Sequence, residues 1–226
     1  MDTPYSSWTF DEVASTQDEA RERAAPGRPA VVVAHRQTGG RGRSGSGWVT
    51  APRAVATSVG MIPAWAPDRL PLLPLVAGVA ARRTLGPAVG LKWPNDLVVG
   101  ASKVGGILVE ARDGVVVAGL GLNLYWPDPL PGAGALFPSD PGREEGPRLG
   151  VAWAESLLAL VDRGPERWPG DEYREGCVTL GQEISWEPDG RGRAVGISAD
   201  GSLQVVTSDG RSRSLSAGAI RHLRAL

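Results

Sequence analysis

The 226-residue sequence contains one cysteine, two histidines, two methionines and two phenylalanines. A single thiol, Cys177, cannot close an internal disulfide, and nothing around it has the spacing of zinc ligands. A disulfide framework and a Cys/His metal centre are therefore excluded, and a reducing, cytoplasmic setting is expected. No uninterrupted apolar run approaches the roughly 20 residues that a membrane helix needs, and Met1-Asp2-Thr3-Pro4 does not open a basic segment followed by an apolar one. Neither secretion nor membrane insertion is expected. Net charge is scarce as well: 24 Lys plus Arg oppose 25 Asp plus Glu, so no bulk field draws the chain to nucleic acid or to an anionic surface.

Two further residue types are nearly missing. Lys92 and Lys103 are the only lysines, and Asn95 and Asn123 the only asparagines. Arginine and abundant Ala, Gly and Pro replace them elsewhere, which points to a coding bias that spares lysine and asparagine where chemistry requires them. All four lie between positions 92 and 123, and that stretch is marked out for function.

What remains, 42% hydrophobic and 22% charged, is the composition of a folded globular chain, long enough for one large domain or a large one with a small appendage. Alternating strands and helices are expected up to about residue 176. Trp8 to Val13 alternates as a strand, and Thr16-Gln17-Asp18-Glu19 has the form of a capping box opening a short helix to about Ala24. A buried strand is expected within Pro29 to His35, then a glycine-dense stretch, Thr38 to Gly47, that suits neither helix nor strand. Ala54 to Met61 resumes as a strand, and apolar residues at helical spacing predict a helix from about Leu70 to Leu85, with Pro74 tolerated in its first turn. Strands follow over Val89 to Trp93, Leu97 to Val99, Gly106 to Glu110 and Val115 to Leu122. Residues 126–148 are expected to form a surface loop, and Val151 to Asp162 a helix. Beyond Glu183, five short segments ending with Ile220 to Leu223 are punctuated by Asp189-Gly190, Asp200-Gly201 and Asp209-Gly210, the hairpin density of a small barrel. The expected division is 1–177 and 178–226, with the smaller unit docked on the larger because about 45 residues enclose little core.

Gly40-Arg41-Gly42-Arg43-Ser44-Gly45 fits the spacing G-x-G-x-x-G after a strand, which raises a dinucleotide-binding reading. That reading needs a helix to begin at the glycines, and Ser46-Gly47-Trp48-Val49-Thr50-Ala51-Pro52 cannot begin one. A Walker loop fails too, because no Gly-Lys-Ser/Thr occurs. The segment does offer accessible backbone N–H groups and two guanidinium forks, at Arg41 and Arg43, suited to closing over a phosphate or carboxylate. A solvated linker or an RNA-stacking segment has the same composition, but this stretch lies between two buried strands, which favours a lid.

Five motifs now stand in order: Ser15-Thr16-Gln17; Gly39 to Trp48; Lys92-Trp93-Pro94-Asn95-Asp96; Ser102-Lys103-Val104-Gly105-Gly106; and Gly119-Leu120-Gly121-Leu122-Asn123. Together they resemble the motifs of biotin protein ligase over nearly the whole chain. The resemblance implies an α+β fold: a mixed β-sheet catalytic domain of the biotin/lipoate ligase type with a small C-terminal SH3-like β-barrel. It implies biotinyl-5′-AMP formation from biotin and ATP with Mg²⁺, then biotin transfer to a lysine of a biotin carboxyl carrier domain. Carried over, Ser15, Thr16, Gln17 and Gln37 would hold biotin. Gly40, Arg41, Gly42, Arg43, Trp48 and Gly105 would enclose biotin and the adenylate, with Lys103 beside the reacting carboxylate and α-phosphate. Arg43 and Asp96 would join Lys103 in catalysis, Asp96 orienting the acceptor lysine or a metal; Gly121 and Trp48 would serve the nucleotide, and Asn95 and Asn123 the nucleotide or metal side, with the metal ligands themselves unknown.

Residue by residue, other roles stay open: Trp48 and Trp93 fit core packing as well as ligand stacking, and Asp96 fits a turn as well as catalysis. Position 17 departs from the family's Ser-Thr-Asn. Only seven residues precede Trp8, too few for a helix-turn-helix, so no DNA binding is expected, and the expected assembly is a monomer or weak homodimer. The competing functions are a lipoate or octanoate ligase or transferase of the same fold and, in a different class, a nucleic-acid-binding module.

Overall fold

Side-chain alternation along the central strands divides the molecule into a packed side and an open side. The computed structural model describes residues 3–45, 47–216 and 223–225. Strands β1 (Ser6–Val13) and β2 (Ala30–Gln37) are parallel, joined by helix α1 (Thr16–Arg23), and β3 (Arg53–Met61) runs antiparallel to β2. A 3-10 turn (Pro67–Leu72) leads into α2 (Leu73–Leu85). Next come β4 (Gly90–Lys92), β5 (Asp96–Val99), β6 (Ser102–Arg112) and β7 (Val115–Tyr125), giving a mixed sheet in the order β1-β2-β3-β7-β6-β5-β4. Helices α3 (Glu145–Val161) and α4 (Gly170–Gly176) complete this part.

On one face of the sheet, Val55, Val59, Leu120, Leu122, Leu124 and Ile107 join the main core with α2 and α3. The residues between them on β3, β6 and β7 include Ala56, Ser58, Gly60, Gly106, Gly119 and Gly121, which are small and point the other way. Register lines them up: Gly106 faces Gly121, Gly121 faces Ala56, and Ala56 faces Ala34 across four adjacent strands. Large side chains on one face make a core, and small ones on the other leave a floor. Helix α1 lies against part of that second face, with Ala20 over Val32 and Val117.

The structure moves several expected boundaries. Helix α3 starts at Glu145 rather than Val151, inside the expected loop. Its two early glycines lie where the helix touches the sheet: a Cβ on Gly150 would fall on Thr57 Oγ1, and one on Gly146 would lie 3.0 Å from Leu124. Glycine composition reads as loop, yet here it is what close packing demands. The helix cap is Ser15 rather than Thr16, α2 begins at Leu73 rather than Leu70, and the short α4 was not anticipated.

The C-terminal part is an antiparallel SH3-like sheet of β8 (Glu183–Trp186), β9 (Gly190–Ile197), β10 (Leu203–Val206), β11 (Ser212–Leu215) and β12 (Leu223–Ala225), in the order β11-β10-β9-β8-β12. Of the last expected strand, Ile220 to Leu223, only Leu223 is among the described residues. Gly201 and Gly210 take positive φ in two of the three Asp-Gly turns, as a tight hairpin requires, whereas Gly190 opens β9. As its size led us to expect, this unit docks: Ile184, Ala194, Leu203 and Val205 belong to the same continuous core as Leu72 and Trp93. Three carbonyls, of Gly201, Ala199 and Ile197, accept from Trp93 Nε1, Trp168 Nε1 and Arg174 Nε at 3.0–3.1 Å.

Close approach of α1 to the sheet gives a direct test. A Cβ on Gly60 would fall on the Ala20 carbonyl, which is backbone and cannot rotate away. Gly60→Ala should lower stability by about 1–3 kcal/mol, measured as a shift of the urea midpoint, and should displace the helix that carries Thr16. An unchanged midpoint would contradict this packing.

Candidate active site

The small-residue face, the start of α1, the glycine-rich loop and the β4–β5 turn enclose an open cleft of about 570 Å³. At one end stands a polar wall. Gln37 Oε1 at the end of β2 accepts from the Thr16 backbone N–H at 2.8 Å and from Thr16 Oγ1 at 2.9 Å, and Thr16 Oγ1 lies 2.8 Å from Ser58 Oγ. Gln17 is 5% exposed and donates through Nε2 to the Leu108 carbonyl at 2.9 Å, and its Oε1 has no hydrogen-bond partner among the described residues. Ser15 caps the helix that presents this wall, its Oγ accepting from the Asp18 N–H.

The glycine loop folds back over the floor. Trp48 N–H donates to the Gly40 carbonyl at 3.0 Å, Arg41 and Gly47 form a bridge, and Arg43 lies in a 3-10 turn (Arg43–Gly45). Trp48 rests on the paired glycines of β6 and β7: Cβ atoms built on Gly106 and Gly121 would lie 3.2 and 3.1 Å from its ring. Any side chain at either position would lift the indole.

The two arginines diverge. Arg41 turns outward and grips Asp18 with both nitrogens, at 2.9 and 2.7 Å, with Glu110 3.6 Å away. That fork holds the Asp18 carboxyl below its ordinary range. Arg43 turns inward, with Nη1 3.3 Å from Asn95 Oδ1, and burial draws its guanidinium below the usual arginine value while the charge of Asp96 opposes the shift. Asp96 lies 2.6 Å from Lys103 Nζ, which stands 5.7 Å over the Trp48 ring. Asn95, in the turn before β5, is held by β6, its Nδ2 donating to the Ile107 carbonyl and its backbone carbonyl accepting from the Ile107 N–H.

Of the residues singled out in the sequence, Ser15, Thr16, Gln17, Gln37, Arg41, Gly42, Arg43, Trp48, Asn95, Asp96, Lys103 and Gly121 line the cleft. Gly40, Gly105 and Asn123 do not. Gly40 lets the loop pass between Gln37 and Trp48. Gly105 points to the packed face, where a Cβ would lie 2.8 Å from the Gly121 carbonyl and from Leu122, so its glycine serves strand packing, and Gly106 meets the cleft instead. Asn123 is buried under the following loop, its Nδ2 donating to the Gly134 carbonyl. Trp93, 1% exposed and bonded to Gly201, is a core aromatic rather than a stacking platform. Sequence reasoning missed Ala56 and Ser58 and quoted Gly106 and Gly119 in motifs without assigning them to the site, although small residues alternating with large apolar ones on β3 and β7 were a readable signal. It noted Lys92 and gave it no role.

Among the described residues no group of three carboxylate, thiol or imidazole side chains is placed to hold a metal ion. Nor, among those residues, is any helix long and apolar enough to cross a membrane.

Known proteins share this arrangement. The model of the biotin/lipoate A/B protein ligase family matches residues 9–124, and that of the biotin protein ligase C-terminal domain matches residues 179–223. The sequence is 32% identical over 237 aligned residues to the biotin–[acetyl-CoA-carboxylase] ligase of Mycobacterium tuberculosis, covering 94% of this chain and 87% of that one. It is 30% identical to the bifunctional ligase/repressor BirA of Bacillus subtilis, covering 88% and 69%. The biotin protein ligase of Aquifex aeolicus, solved in complex with biotin and ATP, superposes with a TM-score of 0.81 at 27% identity, covering 97% of this chain and 99% of that one. The chain belongs to the biotin/lipoate A/B protein ligase family and, within it, to the biotin protein ligases.

The Trp48 contact predicts how the loop is held. Gly121→Val should push the indole off its floor and raise the rate of trypsin cleavage after Arg41 and Arg43 several-fold, with the urea midpoint little changed. Equal cleavage of both proteins would show that the glycine floor does not hold the loop.

Proposed function

We propose that this chain is an ATP-dependent biotin protein ligase. It joins the carboxylate of biotin to the α-phosphate of ATP, releases pyrophosphate, and passes biotin from biotinyl-5′-AMP to a lysine of a biotin carboxyl carrier domain. The observation that carries this reading is the meeting of Lys103, Arg43 and Asp96 beneath a loop closed by Trp48, with a neutral polar wall at one end of the same cleft. The names of the relatives, which act on biotin, ATP and acetyl-CoA carboxylase, agree with it.

The chemistry follows from charge. A carboxylate and a phosphate repel, so fixed cations at their meeting point give the main assistance, by positioning and by stabilising charge as it develops. Lys103 is a compact point charge suited to that contact, and Arg43 brings a planar pair of donors from the loop. The neutral wall of Ser15, Thr16, Gln17 and Gln37 suits the ureido ring of biotin, with Gln17 Oε1 an acceptor still unused. Trp48, Asn95 and Gly121 border the nucleotide. The mixed anhydride hydrolyses in water, and a closing loop excludes it. Asp96, adjoining Lys103, is suited to orient the acceptor lysine. Mg²⁺ is assigned to the phosphates of ATP, as part of that substrate.

Residues 1–177 form the catalytic unit in this reading and 178–226 the SH3-like unit, supported by the separate family matches. A cytoplasmic location fits the single free thiol. The lipoate alternative is not favoured, since the C-terminal match and the named relatives are biotin ligases.

Incubation with biotin, ATP, Mg²⁺ and a purified carrier domain should add one biotin to the carrier, read by mass. Lys103→Ala and Arg43→Ala should each lower biotin-dependent ATP–pyrophosphate exchange by about 100-fold or more, with unfolding midpoints near that of the parent. A larger thermal shift with lipoate than with biotin would reject the substrate assignment, and full exchange in both variants would reject the site.

A further inference from the structure

Two sets of contacts meet where α1 lies against β6. On the cleft side, Gln17 Nε2 donates to the Leu108 carbonyl and joins the start of the helix to the strand. On the outer side, Asp18 follows Gln17 on the helix and Glu110 lies two residues beyond Leu108 on the strand. Arg21 fixes the same two elements a turn further along α1. Its Nη1 donates to the Val115 and Arg112 carbonyls at 3.2 and 3.4 Å, and its Nη2 lies 3.7 Å from Glu110. Asp18 and Glu110 are thus held in place by packed elements, whatever the glycine loop does.

Arg41 lands on this prepared pair. Its guanidinium takes both oxygens of Asp18 and lies 3.6 Å from Glu110. Its place in the loop gives the contact leverage. The Gly40 carbonyl accepts from the Trp48 N–H, and Arg41 itself bridges to Gly47, so the two ends of the loop are closed on each other at this point. Tying Arg41 to α1 therefore ties down the neck of the loop and, through it, the Trp48 indole on its glycine floor. Neither carboxylate lines the cleft; both border a surface groove on its outer side, shared with Arg21, Arg41 and Arg112.

We propose that Asp18, supported by Glu110, is a positioning residue that sets how long biotinyl-5′-AMP stays in the cleft, acting from outside it through Arg41. The inference rests on the ligase reading given above and goes beyond it. That reading needs a cover over the mixed anhydride; the ion pair decides how readily the cover lifts. Formation of the adenylate does not draw on the clasp, because neither carboxylate reaches the reacting groups. Its departure does, because the neck must part from α1 before Trp48 can rise. An exposed pair of this kind changes an opening equilibrium by up to about fivefold, and salt screens it. Retention of the adenylate is thereby made sensitive to ionic strength, and the sensitivity resides in the Asp18 carboxylate.

The test loads the full chain with labelled adenylate by its own reaction with biotin and ATP, then follows loss of the label into excess unlabelled biotinyl-5′-AMP at low and high salt. Release from Asp18→Asn should be faster by about three- to fivefold at low salt and should respond little to added salt, with the single-turnover rate of adenylate formation unchanged. The charge-swapped double variant Asp18→Arg/Arg41→Asp should release more slowly than either single variant. Parent-like release by Asp18→Asn, a parent-like salt response in that variant, or a swap no slower than the single variants would each overturn the assignment. A parent chain that forms no adenylate would reject the ligase reading and this proposal together, whereas adenylate that forms and leaves both proteins at one rate counts against the clasp alone.

Discussion

One carboxylate, Asp96, makes it possible to keep so much positive charge in one place. Unit cations about 6 Å apart repel by roughly 3 kcal/mol at an effective dielectric near 20, so a cluster of Lys103, Arg43 and Lys92 would spread without an anion among them. Asp96 holds Lys103 at 2.6 Å and bears on Arg43. Its place depends in turn on the hairpin in which it lies. Trp93, three residues earlier, is buried, its backbone N–H donating to Thr179 Oγ1 and its indole N–H to the Gly201 carbonyl of the C-terminal sheet. The second sheet therefore touches the hairpin that carries Asp96 through the buried indole of Trp93.

The cleft exists because β3, β6 and β7 carry small residues on alternate positions. The same strands present valine, leucine and isoleucine to α2 and α3, so no strand is spent on the site alone. The row Gly106, Gly121, Ala56 and Ala34 gives a flat surface on which an indole can lie. Glycine weakens a strand interior by entropy and by lost packing. Here that cost is offset by Trp48, which supplies the missing apolar contact from above and closes the loop as it does so.

This division explains which parts of the molecule were legible in the sequence. The strands and α1 were readable because their signals are local: β-branched runs, Asp-Gly turns, and polar residues opening a helix. All but Gln37 of the twelve cleft residues recognised from the sequence belong to the five quoted motifs, and Asn95 and Lys103 among them stand out against a coding bias away from lysine and asparagine. What failed depended on tertiary contact. Gly146 fell in the expected loop and Gly150 just before the expected helix, because glycine is a poor helix former, and only the nearness of β3 and β7 makes them necessary. Gly105 and Gly106 are indistinguishable in sequence, since strand parity decides which one faces Trp48. Asn123 has the rarity of a functional residue, yet its amide is used to fix the loop above it.

The divergence of Arg41 and Arg43 bears on how a loop can both close and open. Arg41 and Asp18 are 39% and 55% exposed, and ion pairs at such exposure are worth at most about 1 kcal/mol. An anchor of that strength biases the loop toward closure without fixing it there. Arg43 is held differently, by burial beside Asp96 and by Asn95, inside the cleft where a bound anion would meet it. In the ligase reading, the loop must admit nucleotide, close over the adenylate and then expose it to a carrier lysine. A weak surface clasp at Arg41 and an inward-facing guanidinium at Arg43 that lines the cleft meet those requirements together. Two strong internal ion pairs would hold the loop shut whether or not substrate was present.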